Sequence, residues 1–75
     1  MGQYLRNVEV VANGNVIATA SSGNYENDEI TLSAPAPAGR VLQGANYTLR
    51  EPGGRSYTCM CKRLGADYTE FVVVT

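Results

Sequence analysis

Apolar residues along this chain recur mainly at every second position, in short runs separated by turn-forming residues every eight to twelve positions. That spacing is the pattern of short antiparallel strands in a small sandwich or barrel, and helical periodicity is hard to find anywhere. The clearest unit is "VEVVANGNVIATA", two β-rich runs around Asn13-Gly14, residues that tolerate the positive φ of a two-residue hairpin turn. An unbroken register sets Ala12 against Asn15, Val10 against Ile17 and Val8 against Thr19. Val8, Val10 and Ile17 then share one face and Val11 and Val16 the other, so the hairpin is expected to be covered at least partly on both sides.

The polar "SSGNYENDE" that follows reads as a loop of turn formers. "EITLS" alternates again, with Ile30 and Leu32 on one face. "RVLQ" and "NYTLRE" predict two further short strands, the second with Tyr47 and Leu49 aligned. "EPGGRS" is a hairpin turn: proline presets one turn position and glycine supplies positive φ. "SYTCMCKR" places Tyr57, Cys59 and Cys61 on an inward face, "LGAD" turns the chain, and "YTEFVVVT" closes it as a strong β segment. Phe71 to Val74 is apolar on both faces, a poor exposed edge, so this strand is expected inside the sheet or paired with another subunit. The expected fold is all-β: a small compact barrel or sandwich of six to seven short antiparallel strands with little or no helix.

"APAPAG", Ala34 to Gly39, interrupts this pattern and raises the question of a linker. Six extended residues at ~3.1 Å each span roughly 18 Å, about the width of a small sheet, and neither flank is long enough to bury a core of its own. The segment is therefore a stiff crossing, and residues 1–75 form a single β domain.

Composition narrows the function more than it identifies one. Charged residues make up 17% of the 75 positions, against about 25% in ordinary soluble domains. A surface so lightly charged suggests that something covers part of it, which favours a homo-oligomer or an assembly. The formal net charge of −1 gives no global attraction to nucleic acid or to an anionic membrane. No apolar run approaches the ~18 residues of a membrane span, and "MGQYLRNVEV" lacks the core of a signal peptide. Arg6 stands where a myristoylation signal needs serine or threonine, and the acceptor triplet Asn46-Tyr47-Thr48 reads as strand sequence.

Catalytic chemistry is short of parts. With no histidine there is no imidazole base, no Ser-His or Cys-His pair and no histidine-ligated metal. Cys59 and Cys61, two apart on a strand, point the same way with Cα atoms roughly 6.5–7 Å apart, too far for a good disulfide. They read as buried, reduced thiols acting as small apolar residues, and a metal would need further ligands. Lys62, on the opposite strand face, is poorly placed to activate Cys59. "EPGGRS" lacks the lysine and helix of a phosphate-binding loop. No cofactor is expected.

Two charge clusters are the candidate interaction residues. Glu26, Asp28 and Glu29 lie in an acidic stretch that has neither the glycine nor the helices of a calcium-binding hand. Arg50, Arg55, Lys62 and Arg63 gather around the Pro52-Gly53-Gly54 turn, near Tyr47, Tyr57 and Tyr68. Basic residues among aromatics could serve a barrel that binds single-stranded nucleic acid, although Tyr47 and Tyr57 share the inferred core face. The −3 and +3 patches could also complement one another between copies in a ring. Phe71 and Val73, on the two-sided C-terminal strand, complete the set of candidate contacts.

"EITLSAPAPAGRVLQG", an alternating strand, a small-residue crossing ending in Ala-Gly and a Val-Leu-x-Gly run, resembles the opening of tailed-phage capsid decoration (cement) proteins. "PAPAGRVLQGANYTL" is likewise similar to the core of SAF/β-clip modules, and together the two cover about residues 29–49. The resemblance implies a non-enzymatic virion protein, made in the host cytoplasm and residing on the particle. There it would bind the major capsid protein or another virion protein at subunit junctions, often as a trimer. A phage-encoded inhibitor or regulator of a host protein, equally short and free of catalytic groups, is the competing class, and the nucleic-acid-binding barrel is the third.

Overall fold

Two tight hairpin turns set the first three strands. Asn13 and Gly14, at φ of 52° and 80°, and Asn27 and Asp28, at 53° and 61°, place both central residues of each turn in the left-handed region, the requirement of a type I′ hairpin. In the computed structural model, which describes residues 2–74, these turns join β1 (Gln3–Ala12), β2 (Asn15–Glu26) and β3 (Glu29–Ser33). After a long connection come β4 (Asn46–Arg50), β5 (Ser56–Leu64) and β6 (Tyr68–Val73). The strands close into an antiparallel barrel in the order β1-β2-β3-β6-β5-β4, within 30 × 25 × 24 Å. The fold is all-β, as the alternation predicts, with β4 returning beside β1 in Greek-key fashion.

Three local expectations change. The segment read as a polar loop, residues 21–29, is mostly strand: β2 runs on through Ser21–Glu26, pairs with β3, and leaves only Asn27 and Asp28 as turn. The register of the first hairpin slips at a bulge between Val10 and Val11. Ala12 does face Asn15, but Val10 meets Ala18 and Val8 meets Ala20. Ile17 is consequently only partly buried, and Val16 is 45% exposed. "RVLQ" forms no strand. Val41 turns inward, 5% exposed, while Leu42 is 62% exposed.

The β1–β2 ribbon also changes phase at Asn7, which takes a φ of 51°. Leu5 and Val8 both point inward with two exposed residues between them. The ribbon bends there, so that the later part of β1 pairs with β4 and the later part of β2 with β3. The backbone edges freed by the bend are covered locally. Glu51 Oε2 accepts from the Arg6 amide at 3.3 Å, and Ala36 exchanges two backbone bonds of 2.9 Å with Thr19. Both contacts blunt edges that would otherwise invite strand pairing.

Residues 34–45 carry the chain from β3 to β4, which lie three strands apart in either direction around the barrel. The Ala-Pro segment is therefore a crossing over one barrel mouth. Backbone bonds fasten it to β2 at Thr19, to the turn before β6 through Ala34 and Asp67, and to β5 through Gly44, Ala45 and Cys61. Val41 enters the mouth, and Tyr47 Oη accepts from the Leu42 amide at 2.8 Å.

The interior mixes large and small side chains, as a narrow barrel requires. Leu5, Ile30, Leu32, Leu49 and Phe71 are fully buried and meet Ala18, Ala20, Cys59 and Cys61. Phe71 lies between Ile30 and Cys61 on the neighbouring strands and edge-on to Tyr47, with centroids 6.5 Å apart. The C-terminal strand is apolar because it lies inside the sheet, between β3 and β5. Thr75, the last residue of "YTEFVVVT", lies outside the described residues.

Cys59 and Cys61 are free thiols with no exposed surface. Burial pushes the Cys59 thiol up to about 11, and that of Cys61 is raised by the same cause. Ellman's reagent is expected to leave both thiols unmodified in the native protein and to titrate both in urea. Ionised thiol has no place in the core, so the folded state holds these protons while the unfolded chain releases them near the ordinary cysteine value. Their contribution to stability is therefore complete below pH ~8.5 and declines as pH rises toward about 11 for Cys59. A urea midpoint flat across this range would contradict it.

Candidate functional site

Because every strand pair is antiparallel, the barrel has two chemically different mouths. One gathers the β2–β3 turn, the β4–β5 turn and the ends of β1 and β6; the other is spanned by the 34–45 crossing.

The first mouth holds most of the charged residues singled out from the sequence, and their partners are largely within the chain. Arg50 binds Glu9 across the β1–β4 seam, Nη2 to Oε1 at 2.8 Å. Lys62 reaches over β6 to Glu29 at 3.2 Å. Arg55 Nη1 donates to Gln3 Oε1 at 3.1 Å. Glu26 is exposed at the end of β2, and Asp28, in the turn, accepts from Tyr25 Oη at 3.2 Å. Desolvation, then the hydrogen bond to Asp28 and its charge, raises the Tyr25 phenol. Arg63 is exposed opposite Glu70. The acidic and basic clusters thus meet inside one molecule at Glu29 and Lys62, which weakens the case for two opposed patches. Among the described residues, no three acidic or thiol groups converge as a metal site would need.

The other sequence candidates also move. Phe71 has no exposed surface and is core rather than contact, because its strand parity turns it inward beside Ile30. Val73 is partly buried, packed against the same core. Tyr47 is 7% exposed and Tyr57 lies against Tyr25 with centroids 5.1 Å apart. Of the three tyrosines near the basic cluster, only Tyr68 stands out into solvent. An aromatic platform for single-stranded nucleic acid is therefore not assembled around those basic residues.

The crossing mouth has a different surface. A groove lined by Ala34, Pro35, Ala38, Gly39, Val41, Leu64, Gly65, Ala66 and Thr69 runs along it. Leu42 beside it is 62% exposed and Leu64 45% exposed. Val16, at the hairpin tip, belongs to the same end of the barrel. Exposed Leu64 among alanine, proline and glycine, with Leu42 next to Val41, gives an apolar surface, and such patches mark interaction sites. Sequence reasoning missed it because it set Leu42 within a strand. The usable signal was the Ala-Pro run itself, whose prolines withhold amides from any ladder and so leave their side chains at the surface.

A second feature was also passed over. Tyr4 and Tyr68, 61% and 63% exposed, stand at the two sides of a shallow groove on the outer face of β1, β2, β3 and β6. Its remaining lining is Ser22, Gly23, Asn24, Thr31 and Ser33.

Compared with protein-family models, curated proteins and solved structures, the chain matches none.

Proposed function

We propose that this protein is a non-enzymatic docking module, an accessory subunit of a tailed-phage particle that attaches at capsid subunit junctions through the crossing mouth of its barrel. The observation that carries this reading is the apolar groove of the crossing mouth, with exposed Leu64 in its lining and exposed Leu42 next in sequence to its Val41. Three further features support it. The stretch that resembles capsid decoration proteins, about residues 29–49, includes the crossing that builds this surface. The chain carries little charge and no histidine. The charged mouth is largely engaged in its own ion pairs and would face away from the partner. A homo-oligomer on the particle, such as a trimer about a capsid axis, fits the same geometry.

The test is protein mass spectrometry of purified particles of the encoding phage. The expected result is this chain in many copies per virion, and its loss when Leu42→Asp and Leu64→Asp are combined. Both side chains are exposed, so the doubly substituted protein is expected to remain folded by circular dichroism. Particles lacking the protein are expected to be less resistant to heat than complete ones. Absence of the chain from purified particles would overturn the proposal and favour a free inhibitor or regulator of a host protein.

A further inference from the structure

The groove between Tyr4 and Tyr68 is assembled from four strands by their parity. One row across the sheet sets Tyr4 beside Asn24 and Asn24 beside Thr31; Ser33 lies beside Tyr68, and the Ser22 amide donates to its Oγ. β1 and β6 are separated by β2 and β3, so the two aromatic residues rise from strands three spacings apart along the curved sheet. Between them the lining side chains are two serines, a threonine and an asparagine, with the Gly23 backbone below. Gly23 is required there: a Cβ would lie 2.5 Å from Leu32 Cδ2 and 2.9 Å from the Thr31 carbonyl oxygen. Ser33 Oγ accepts from the Ser22 amide at 3.2 Å and lies 3.3 Å from Ser21 Oγ, which holds one hydroxyl of the floor in place. The Arg6 guanidinium lies 5.4 Å from the Tyr4 ring centroid and braces that wall.

The distribution of chemistry across this groove selects the ligand class. Protein hot spots put aromatic anchors at a dry centre and polar groups at the rim. Here the order is reversed, with hydroxyls and an amide at the centre and aromatic rings at the two ends. No charged residue lines the groove itself; of the two charges that flank it, the Arg6 guanidinium lies over the Tyr4 ring and Glu70, the neighbour of Thr31 on β6, offsets it, so the groove presents no net charge to a phosphate backbone. The ligand that fits is uncharged, offers C–H faces to the negative π-faces of the tyrosines, and carries hydroxyls for a floor of hydroxyl and amide groups. Those are the properties of a sugar chain. We propose that the Tyr4–Tyr68 groove is a binding site for a neutral oligosaccharide, separate from the docking surface at the crossing mouth and independent of what that surface binds.

Nuclear magnetic resonance titration of the full chain with maltotetraose, cellotetraose, xylotetraose and chitotetraose in its N-acetylated form tests this, with tetragalacturonate as an acidic control. At least one neutral probe is expected to give saturable shifts at the amides of Gly23, Asn24, Thr31 and Ser33. Tyr4→Ala and Tyr68→Ala are each expected to weaken that binding by about tenfold, the scale of one lost stacking contact. Both rings are largely exposed, so thermal melting of the variants is expected to match that of the parent. Asn24→Asp, which puts a charge into the neutral floor, is expected to weaken binding as well. No shifts with any neutral probe at millimolar concentration would overturn the proposal, as would shifts elsewhere or shifts indifferent to both tyrosine substitutions. Tighter binding of tetragalacturonate than of the neutral sugars would also overturn it. If the alanine substitutions release the protein from particles while no sugar shifts these amides, the groove is a protein contact and the proposal fails.

Discussion

Phe71→Ala is expected to cost about 3–5 kcal/mol of folding stability, the range for truncating a fully buried phenylalanine. The total available to a chain of this length is about 4–11 kcal/mol at ordinary values per residue, so the variant should be partly unfolded in water at room temperature. The reason is position as much as size. Phe71 has no exposed surface and sits between Ile30 and Cys61 on the two strands that flank β6, with Tyr47 edge-on across the interior. The residues facing it include small ones, so they cannot reach into the space it would leave. Urea denaturation followed by circular dichroism reads this directly, as a large fall in midpoint. A loss below about 1.5 kcal/mol would mean that the barrel collapses readily around the missing ring.

Gly65→Ala is the second large effect, and it acts through the backbone. A Cβ at this position would run into the carbonyl oxygen of Tyr68. Neither atom belongs to a side chain that can rotate away, so the β5–β6 turn must open. The same turn holds Asp67, whose carbonyl accepts from the Ala34 amide at 2.9 Å and anchors the start of the crossing. A destabilisation of about 2–3 kcal/mol is expected, the upper part of the range for forced overpacking. Gly54→Ala is the control: it lies in a turn too, but its nearest contact would be the Glu51 Cβ at 3.3 Å, a tight approach that a small shift relieves. Equal midpoints for the two variants would contradict the argument.

Period-two alternation made most of the architecture legible. Ile30 and Leu32, Tyr47 and Leu49, and Cys59 and Cys61 all point inward as the pattern requires. What it could not supply was the phase of the long ribbon. The bulge at Val10 and the left-handed Asn7 each shift which residues face the core, and neither is marked by glycine or proline. The second half of β2 was hidden for another reason. Ser21, Ser22, Gly23 and Asn24 are turn formers by preference, and only pairing with β1 and β3, together with the space Gly23 leaves for Leu32, makes them a strand. Val41-Leu42 misled in the opposite sense: an apolar pair was read as strand when one member plugs a barrel mouth and the other stands in solvent.

The candidate sites were less legible than the fold. Charge clustering drew attention to Arg50, Lys62 and Glu29, whose partners turn out to be neighbours in the same barrel. Such exposed pairs contribute little to stability, about 0–1 kcal/mol each. Tyr4 drew none and Tyr68 was noted only beside the basic cluster, because the two are far apart in sequence and each stands next to a residue that faces inward. Only the order of strands brings them to one groove.

Closure of the barrel also governs when the protein can exist. The two seams that complete the ring, β1 with β4 and β3 with β6, join positions about forty residues apart, as in the Glu9–Arg50 contact. Pairings that distant are slow to form, and β6 is the last of the six barrel strands to be synthesised. Until then β3 and β5 each present an open edge, and the chain is most exposed to mispairing with other copies. A product made in bulk would therefore be sensitive to its rate of synthesis, with less frequent initiation, and so fewer unfinished copies at one time, giving a larger yield of native barrel.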